Sequence, residues 1–335
     1  MQISRAALRD LPKIEIHVHL EGTISPATAV ELARNHEVDP SSLPLIDGRY
    51  PARFTSFEHF VDVYLAISRL IRTPGDLRTV AAAFARRQAE ENVVHTEVTF
   101  TAMTHVNNGM DPNEMWEAVA AGLSEAPEGT EISLIVDAVR NEGPERGHAT
   151  VALVENAGAP VCGFGLSGVE GSVPEREFKM LRDAADAMGL GLAVHAGETG
   201  SADIVRAALD DLGADRIGHG IAAERDRALI ERLRRDGIPL EVCPTSNVCL
   251  GVVPSLEEHP FPRLWQQEVN VTVNSDDPPF FWTTLTDELL KASRMAGLGR
   301  EGVAELQRRA ARAAFVSRAR REQMVEAINA WEAAG

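Results

Sequence analysis

The chain has 335 residues, 44% of them hydrophobic, and a formal net charge of −17. That length and apolar content supply a core for one barrel-sized domain or two ordinary ones, while the acidity repels phosphate backbones and argues against nucleic acid as a partner. No stretch is long and apolar enough to span a bilayer, and the N-terminal MQISRAALRDLPK lacks the apolar centre of a secretion signal, so no membrane and a cytoplasmic location are expected.

Eight short β-rich runs follow one another along the chain. They are IEIHVHL (14–20), VVHTEVTF (93–100), EISLIVDAV (131–139), VCGFGLSG (161–168), GLAVHAG (191–197), RIGHG (216–220), PLEVCPTSN (239–247) and VNVTVNSDD (269–277). Several are apolar at consecutive positions, as strands covered on both faces should be. Between them lie amphipathic stretches such as PEREFKMLRDAADAMG and SADIVRAALDDLG, with apolar residues at helical spacing and a glycine at the end. Strands alternating with helices predict an α/β fold, a (β/α)8 TIM barrel, with a doubly wound sheet as the alternative.

Residues 40–92 are too long for one connection and are expected to add helices over the barrel mouth. Phe54, Phe57, Phe60 and Tyr64 lie in that insertion, read either as core packing or as an apolar lid. The tail from about 284 reads as terminal helices whose Arg clusters are solvated faces. Nothing resembles a linker, so residues 1–335 are expected to form one domain. Cys162, Cys243 and Cys249 form no CxxC pair and read as small buried hydrophobes.

Polar residues gather at the C-terminal ends of the runs. The first ends in His17, His19 and Glu21; the fifth in His195 and Glu198; the sixth in His219; the eighth in Asp276 and Asp277. His17 and His19, two apart on a strand, point to the same face. Each of these residues has an ordinary explanation alone: a core histidine, or a turn in SDDP. Four strand ends carrying compatible ligands at one barrel mouth are harder to explain structurally.

Three histidines and a carboxylate suit Zn²⁺, with Fe²⁺ and Co²⁺ as other acceptable ions. His17, His19, His195 and Asp276 are the candidate ligands. His219 is placed to hold or deprotonate a water acidified by the metal, Glu198 to deliver a proton, and Asp277 to orient the substrate. Two-metal barrels bridge their ions with a carboxylated lysine on the fourth strand. VCGFGLSG has none, and Lys13, Lys179 and Lys291 lie away from predicted strand ends at the mouth, so one Zn²⁺ per chain is expected. His36, His59, His148 and His259 read as surface residues; His95 and His105 are left unassigned.

PKIEIHVHLEG, GLSG, VHAGE, RIGHG, CPTSN and NSDDP, in this order between residues 12 and 278, resemble the adenosine/adenine deaminase branch of the amidohydrolase superfamily. The resemblance implies hydrolysis of the C6 amino group of a purine with release of ammonia, the partner being a small-molecule purine. It makes His17, His19, His195 and Asp276 zinc ligands, and has Glu198 protonate N1 while His219 orients and deprotonates the water. It also has Asp277 hydrogen-bond N7 and Gly168 offer its backbone N–H to N3.

The specificity positions are mixed. Adenosine deaminases of this family usually carry Asp where Glu21 stands, and adenine deaminases usually carry Glu. Gly168 and Gly218 match the nucleoside enzymes, and Val169 replaces an acidic residue although Glu170 remains. The balance leans to an adenosine-type nucleoside. Free adenine and a modified adenine or 5′-modified nucleoside, such as aminodeoxyfutalosine, stay open. A catalytically inactive purine-binding relative is the non-enzymatic alternative, opposed by the presence of every catalytic residue type. A nucleic-acid deaminase would carry P-C-x-x-C, and CPTSNVC spaces its cysteines too widely.

Overall fold

The β-rich runs form eight parallel strands in a single sheet whose spatial order is the order of the chain. The computed structural model describes residues 3–334. The strands are β1 (Lys13–His19), β2 (Val93–Phe100), β3 (Glu131–Val139), β4 (Val161–Ser167), β5 (Gly191–Ala196), β6 (Arg216–His219), β7 (Leu240–Val242) and β8 (Val271–Val273). The fold is a (β/α)8 barrel.

The last seam, β8 against β1, is short on ladder bonds and is closed partly by side chains. Asn274 Oδ1 accepts from the Ile16 N–H at 3.1 Å, and Glu15 Oε1 from the Ser275 N–H at 3.1 Å. Beyond β8, the His19 N–H donates to the Asp276 carbonyl (3.0 Å) and the Asp276 N–H to the His17 carbonyl (3.2 Å). The seam thus fixes the backbone of three candidate ligands.

The seventh and eighth runs are strand for only three residues each, shorter than expected. After Val242 the CPTSN segment turns into a helix, Pro244–Cys249, because Pro244 has no N–H for a ladder and suits a first helical turn. After Val273 the ladder breaks into isolated bonds, the Asn274 N–H donating to the Val242 carbonyl at 3.0 Å and Asp276 bridging to Val18, and Asp276 holds a left-handed backbone with φ 64°.

The 40–92 region is also divided differently from the expectation. Only helix Phe57–Ser68, capped by the Ser56 side chain, reaches the mouth. Helix Pro74–Glu90 begins with a reciprocal Thr73–Asp76 capping box and packs on β2 and helix Pro112–Leu123, as an outer helix of the barrel. Phe54 packs edge-on against Phe60 and Phe281, within the core.

At the opposite end of the barrel, Phe315 plugs the floor. A Cβ on Gly191 would stand 2.3 Å from its ring, so the glycine makes room for the plug. Arg216 stacks over the same ring at 3.7 Å. Cys243 is buried, whereas Cys162 and Cys249 are only half-buried, a partial departure from the expectation for the three thiols. Among the described residues no helix is long and apolar enough to cross a membrane.

Candidate active site

The C-terminal ends of the strands converge on one cavity of about 200 Å³. His19, Glu21, Gly168, His195, Glu198, His219, Asp276 and Asp277 all line it; His17 lies just beneath, 2% exposed. Every residue singled out at the strand ends is therefore brought to one place. Phe57, Phe60 and Tyr64 also line it.

Three donor pairs among His17, His19, His195 and Asp276 lie close together. His19 Nε2 lies 3.2 Å from His195 Nε2, and Asp276 Oδ1 lies 3.4 Å from His19 Nε2 and 3.5 Å from His17 Nε2. His17 Nε2 is buried without a hydrogen-bond partner. Tetrahedral zinc, with bonds of about 2.0–2.2 Å, holds its donors roughly 3.3–3.6 Å apart, close to these three separations; His17, His19 and His195 form one donor cluster within 4.8 Å, and Asp276 joins His17 and His219 in a second.

The local field also favours a cation. Burial disfavours charge on each imidazole, yet the carboxylates of Asp276 and Glu241 bring His17 up to about 9. Asp276, with Asp277 and Asp137, likewise outweighs burial at His19 and brings it up to about 10. His195, buried beside the charges of His17 and His19, is pushed well down. His219 belongs to an overlapping group with His17 and Asp276, but its Nε2 stands off at 3.9 Å from Asp276 and 3.7 Å from Glu198.

Glu198 and Asp277 are buried carboxyls, each with one oxygen lacking a protein partner. Burial, reinforced by the charge of Asp276, holds both well above the usual carboxylate range. Both shifts favour the protonated form, the one that can donate a proton or a hydrogen bond. Glu198 is held by its loop: Glu170 accepts from the backbone N–H groups of Gly197 (2.8 Å), Glu198 (2.9 Å) and Gly200 (2.9 Å). Asp277 sits against Gly22, where a Cβ would come within 1.7 Å of its Oδ1. His219 and Asp276 both hold positive φ, 58° and 64°, a conformation non-glycine residues rarely adopt and one concentrated at functional sites.

The sequence profile of the adenosine deaminase family matches residues 12–331. The chain belongs to that family. It is 38% identical to an aminodeoxyfutalosine deaminase of Streptomyces coelicolor, over 98% of this chain and 86% of the relative. It is also 38% identical to an adenine deaminase of Sinorhizobium medicae, over 95% of this chain and 98% of the relative. The crystal structure of an adenine deaminase from Arthrobacter aurescens superposes with a TM-score of 0.87 at 29% identity, covering 96% of this chain and 99% of that one. The deaminase is thus a hydrolase acting on C–N bonds, in a metal-dependent family.

Several groups around the deaminase site carry no signal in their local sequence. Glu241, in the seventh strand, stands 2.7 Å from His17 Nδ1 through Oε2 and 2.5 Å from Arg216 Nε through Oε1. Arg216 in turn pairs with Glu97 at 2.5 Å, so a buried ion chain runs from the barrel floor to a candidate ligand. His105, left unassigned by the sequence, is fully buried and donates from Nε2 to Glu21 Oε1 at 3.0 Å. His95 is buried against Glu97. His259 is the plain correction: read as a surface residue, it is 1% exposed and hydrogen-bonds Asn247 beside His219. His36 is half-buried against Asp76 at 2.7 Å, whereas His148 is exposed as expected.

Proposed function

We propose that this chain is a zinc-dependent 6-aminopurine deaminase, which replaces the C6–N bond by C6–O with water and releases ammonia. One observation carries the reading. Two buried carboxyls raised above the usual carboxylate range, Glu198 and Asp277, each with an unpaired oxygen, lie in one small cavity lined by His19, His195 and Asp276, with His17 just beneath. A purine offers ring nitrogens to such acids and a carbon open to attack between them and the donor cluster.

Zn²⁺ held by those four residues would supply a water ionised near neutral pH. Glu198 donates its proton to N1 and makes C6 more electrophilic. Asp277, as an acid, donates a hydrogen bond to N7. Gly168, at the cavity wall, offers its N–H to N3. We read the whole chain as one catalytic unit in which helix Phe57–Ser68 covers the purine.

Among the described residues no Lys or Arg lines the cavity, while Glu21, Glu142, Glu170, Asp276 and Asp277 do. An uncharged base or nucleoside therefore fits better than a phosphorylated one. Glu21 Oε1 is occupied by His105 and the Thr101 N–H (3.2 Å), leaving Oε2 unpartnered for a donor on the ligand. We favour a ribose hydroxyl there, in keeping with Gly168 and Gly218, and hence a nucleoside or 5′-modified nucleoside. Free adenine is the second reading, supported by the longer side chain of Glu21.

The test is ammonia release by zinc-loaded protein from adenosine, 2′-deoxyadenosine, aminodeoxyfutalosine, adenine, N6-isopentenyladenine and AMP. Turnover of a nucleoside, with AMP inert, is expected. Release from adenine alone would assign Oε2 to the free base, and silence on all six would overturn C6 deamination.

A further inference from the structure

Asn247 and His259 lie outside the set of residues that line the cavity, yet they form a continuous hydrogen-bonded chain to His219. The chain starts at a group whose polarity is beyond doubt. The backbone N–H of Phe261 can only donate, and it meets His259 Nδ1 at 3.0 Å. His259 Nδ1 is therefore an acceptor.

His259 is buried, and burial, with Arg263 nearby, brings it down to about 4, so near neutrality the ring holds one proton. With Nδ1 accepting, that proton resides on Nε2, which faces Asn247 Oδ1 at 3.1 Å. The Asn247 amide is thereby oriented, because the opposite flip would set two donors against each other. Its nitrogen then faces His219 Nδ1 at 3.3 Å and donates to it. Asn247 is itself completely buried, so no solvent competes for these bonds.

From this geometry we infer that Asn247 and His259 are positioning residues that lock His219 as the Nε2–H tautomer, so that it presents a hydrogen-bond donor to the reacting centre rather than a base. His219 Nδ1 is blocked by an amide proton and Nε2 already carries one. In the neutral ring no lone pair is free toward the cavity. His219 then holds the attacking oxygen through Nε2–H instead of removing its proton. What the N–H touches rests on the deaminase reading; the tautomer does not.

The experiment is the ¹⁵N spectrum of histidine-labelled, zinc-loaded protein, with the His219 signals assigned by their loss in His219→Gln. An unprotonated Nδ1 and a protonated Nε2 are expected in the unmodified protein, and the reverse in Asn247→Asp, whose carboxylate accepts where the amide donated. Asn247→Asp should also lose about 10²-fold or more in kcat, the scale of one lost oxyanion-type donor, with little change in KM. A protonated Nδ1 in the unmodified protein would overturn the inference without any variant having to fold. So would Asn247→Asp with a reversed tautomer and undiminished kcat. The spectrum reads the tautomer whatever the substrate, so its failure is distinct from silence in the ammonia assay.

Discussion

Glu241 Oε2 stands 2.7 Å from Nδ1 of His17, with both side chains almost wholly buried. This contact fixes the tautomer of the imidazole and turns its Nε2 lone pair toward His19, His195 and Asp276. Glu241→Gln keeps the volume and removes the charge. It is expected to weaken zinc retention about 10–100-fold, read by competition with a chelator, with the far-UV circular dichroism unchanged. Equal affinity in the two proteins would show that the orientation of His17 does not depend on the carboxylate.

Glu198 is the proposed acid, and burial beside Asp276 raises its pKa well above the usual carboxylate range. Glu198→Gln should lower kcat by about 10²–10⁴-fold while zinc stays bound, measured as ammonia release beside metal content. Normal turnover in this variant would move proton delivery to another group.

Gly22 leaves space for Asp277, whose Oδ1 would lie 1.7 Å from an added Cβ. Gly22→Ala must displace that carboxyl by about an ångström or more, and misplacement on this scale costs roughly 10²-fold in rate. The loss should appear in kcat/KM, with zinc content preserved. An unimpaired alanine variant would mean that Asp277 makes no positioned contact with the substrate.

Lys13 opens the first strand fully buried, donating to the carbonyls of Leu11 (3.1 Å) and Glu91 (2.5 Å). Burial lowers its pKa from 10.5 to about 8, against the pull of Glu91 and Asp10. From pH 8 to 10.5 the unfolded chain therefore binds more protons than the folded one, and this residue's contribution to stability rises with pH across that window. The gain is at most ~3 kcal/mol. In urea titrations the native protein should gain stability relative to Lys13→Met as the pH rises from 8 toward 10.5. A constant difference between the two would place the Lys13 pKa at its ordinary value.

Much of the barrel and the candidate site was legible from local pattern. His17 and His19 show their shared direction because strand side chains alternate, and His195, His219 and Asp276 each follow an apolar run that marks a strand end. The seventh and eighth strands are shorter than the runs PLEVCPTSN and VNVTVNSDD, because Pro244 starts a helix and past Val273 the pairing is reduced to isolated bonds at Asn274 and Asp276. The 40–92 segment showed helical content but not that Pro74–Glu90 belongs to the outer layer, since amphipathicity says which face is buried and not against what.

By itself, the sequence determined the alternation of strands and helices, the residues at the strand ends, and a set of candidate metal donors. These are local properties, set by period-two and helical spacing within a few residues. Tertiary structure alone decided which neighbours control those residues. Glu241 meets His17 across 224 positions, Glu21 meets His105 across 84, and His259 reaches His219 through Asn247 from a segment that reads as surface. The barrel closes its strands into a ring, so side chains far apart in the chain become the nearest polar partners, and burial then makes each of those contacts decisive for charge, orientation and tautomer.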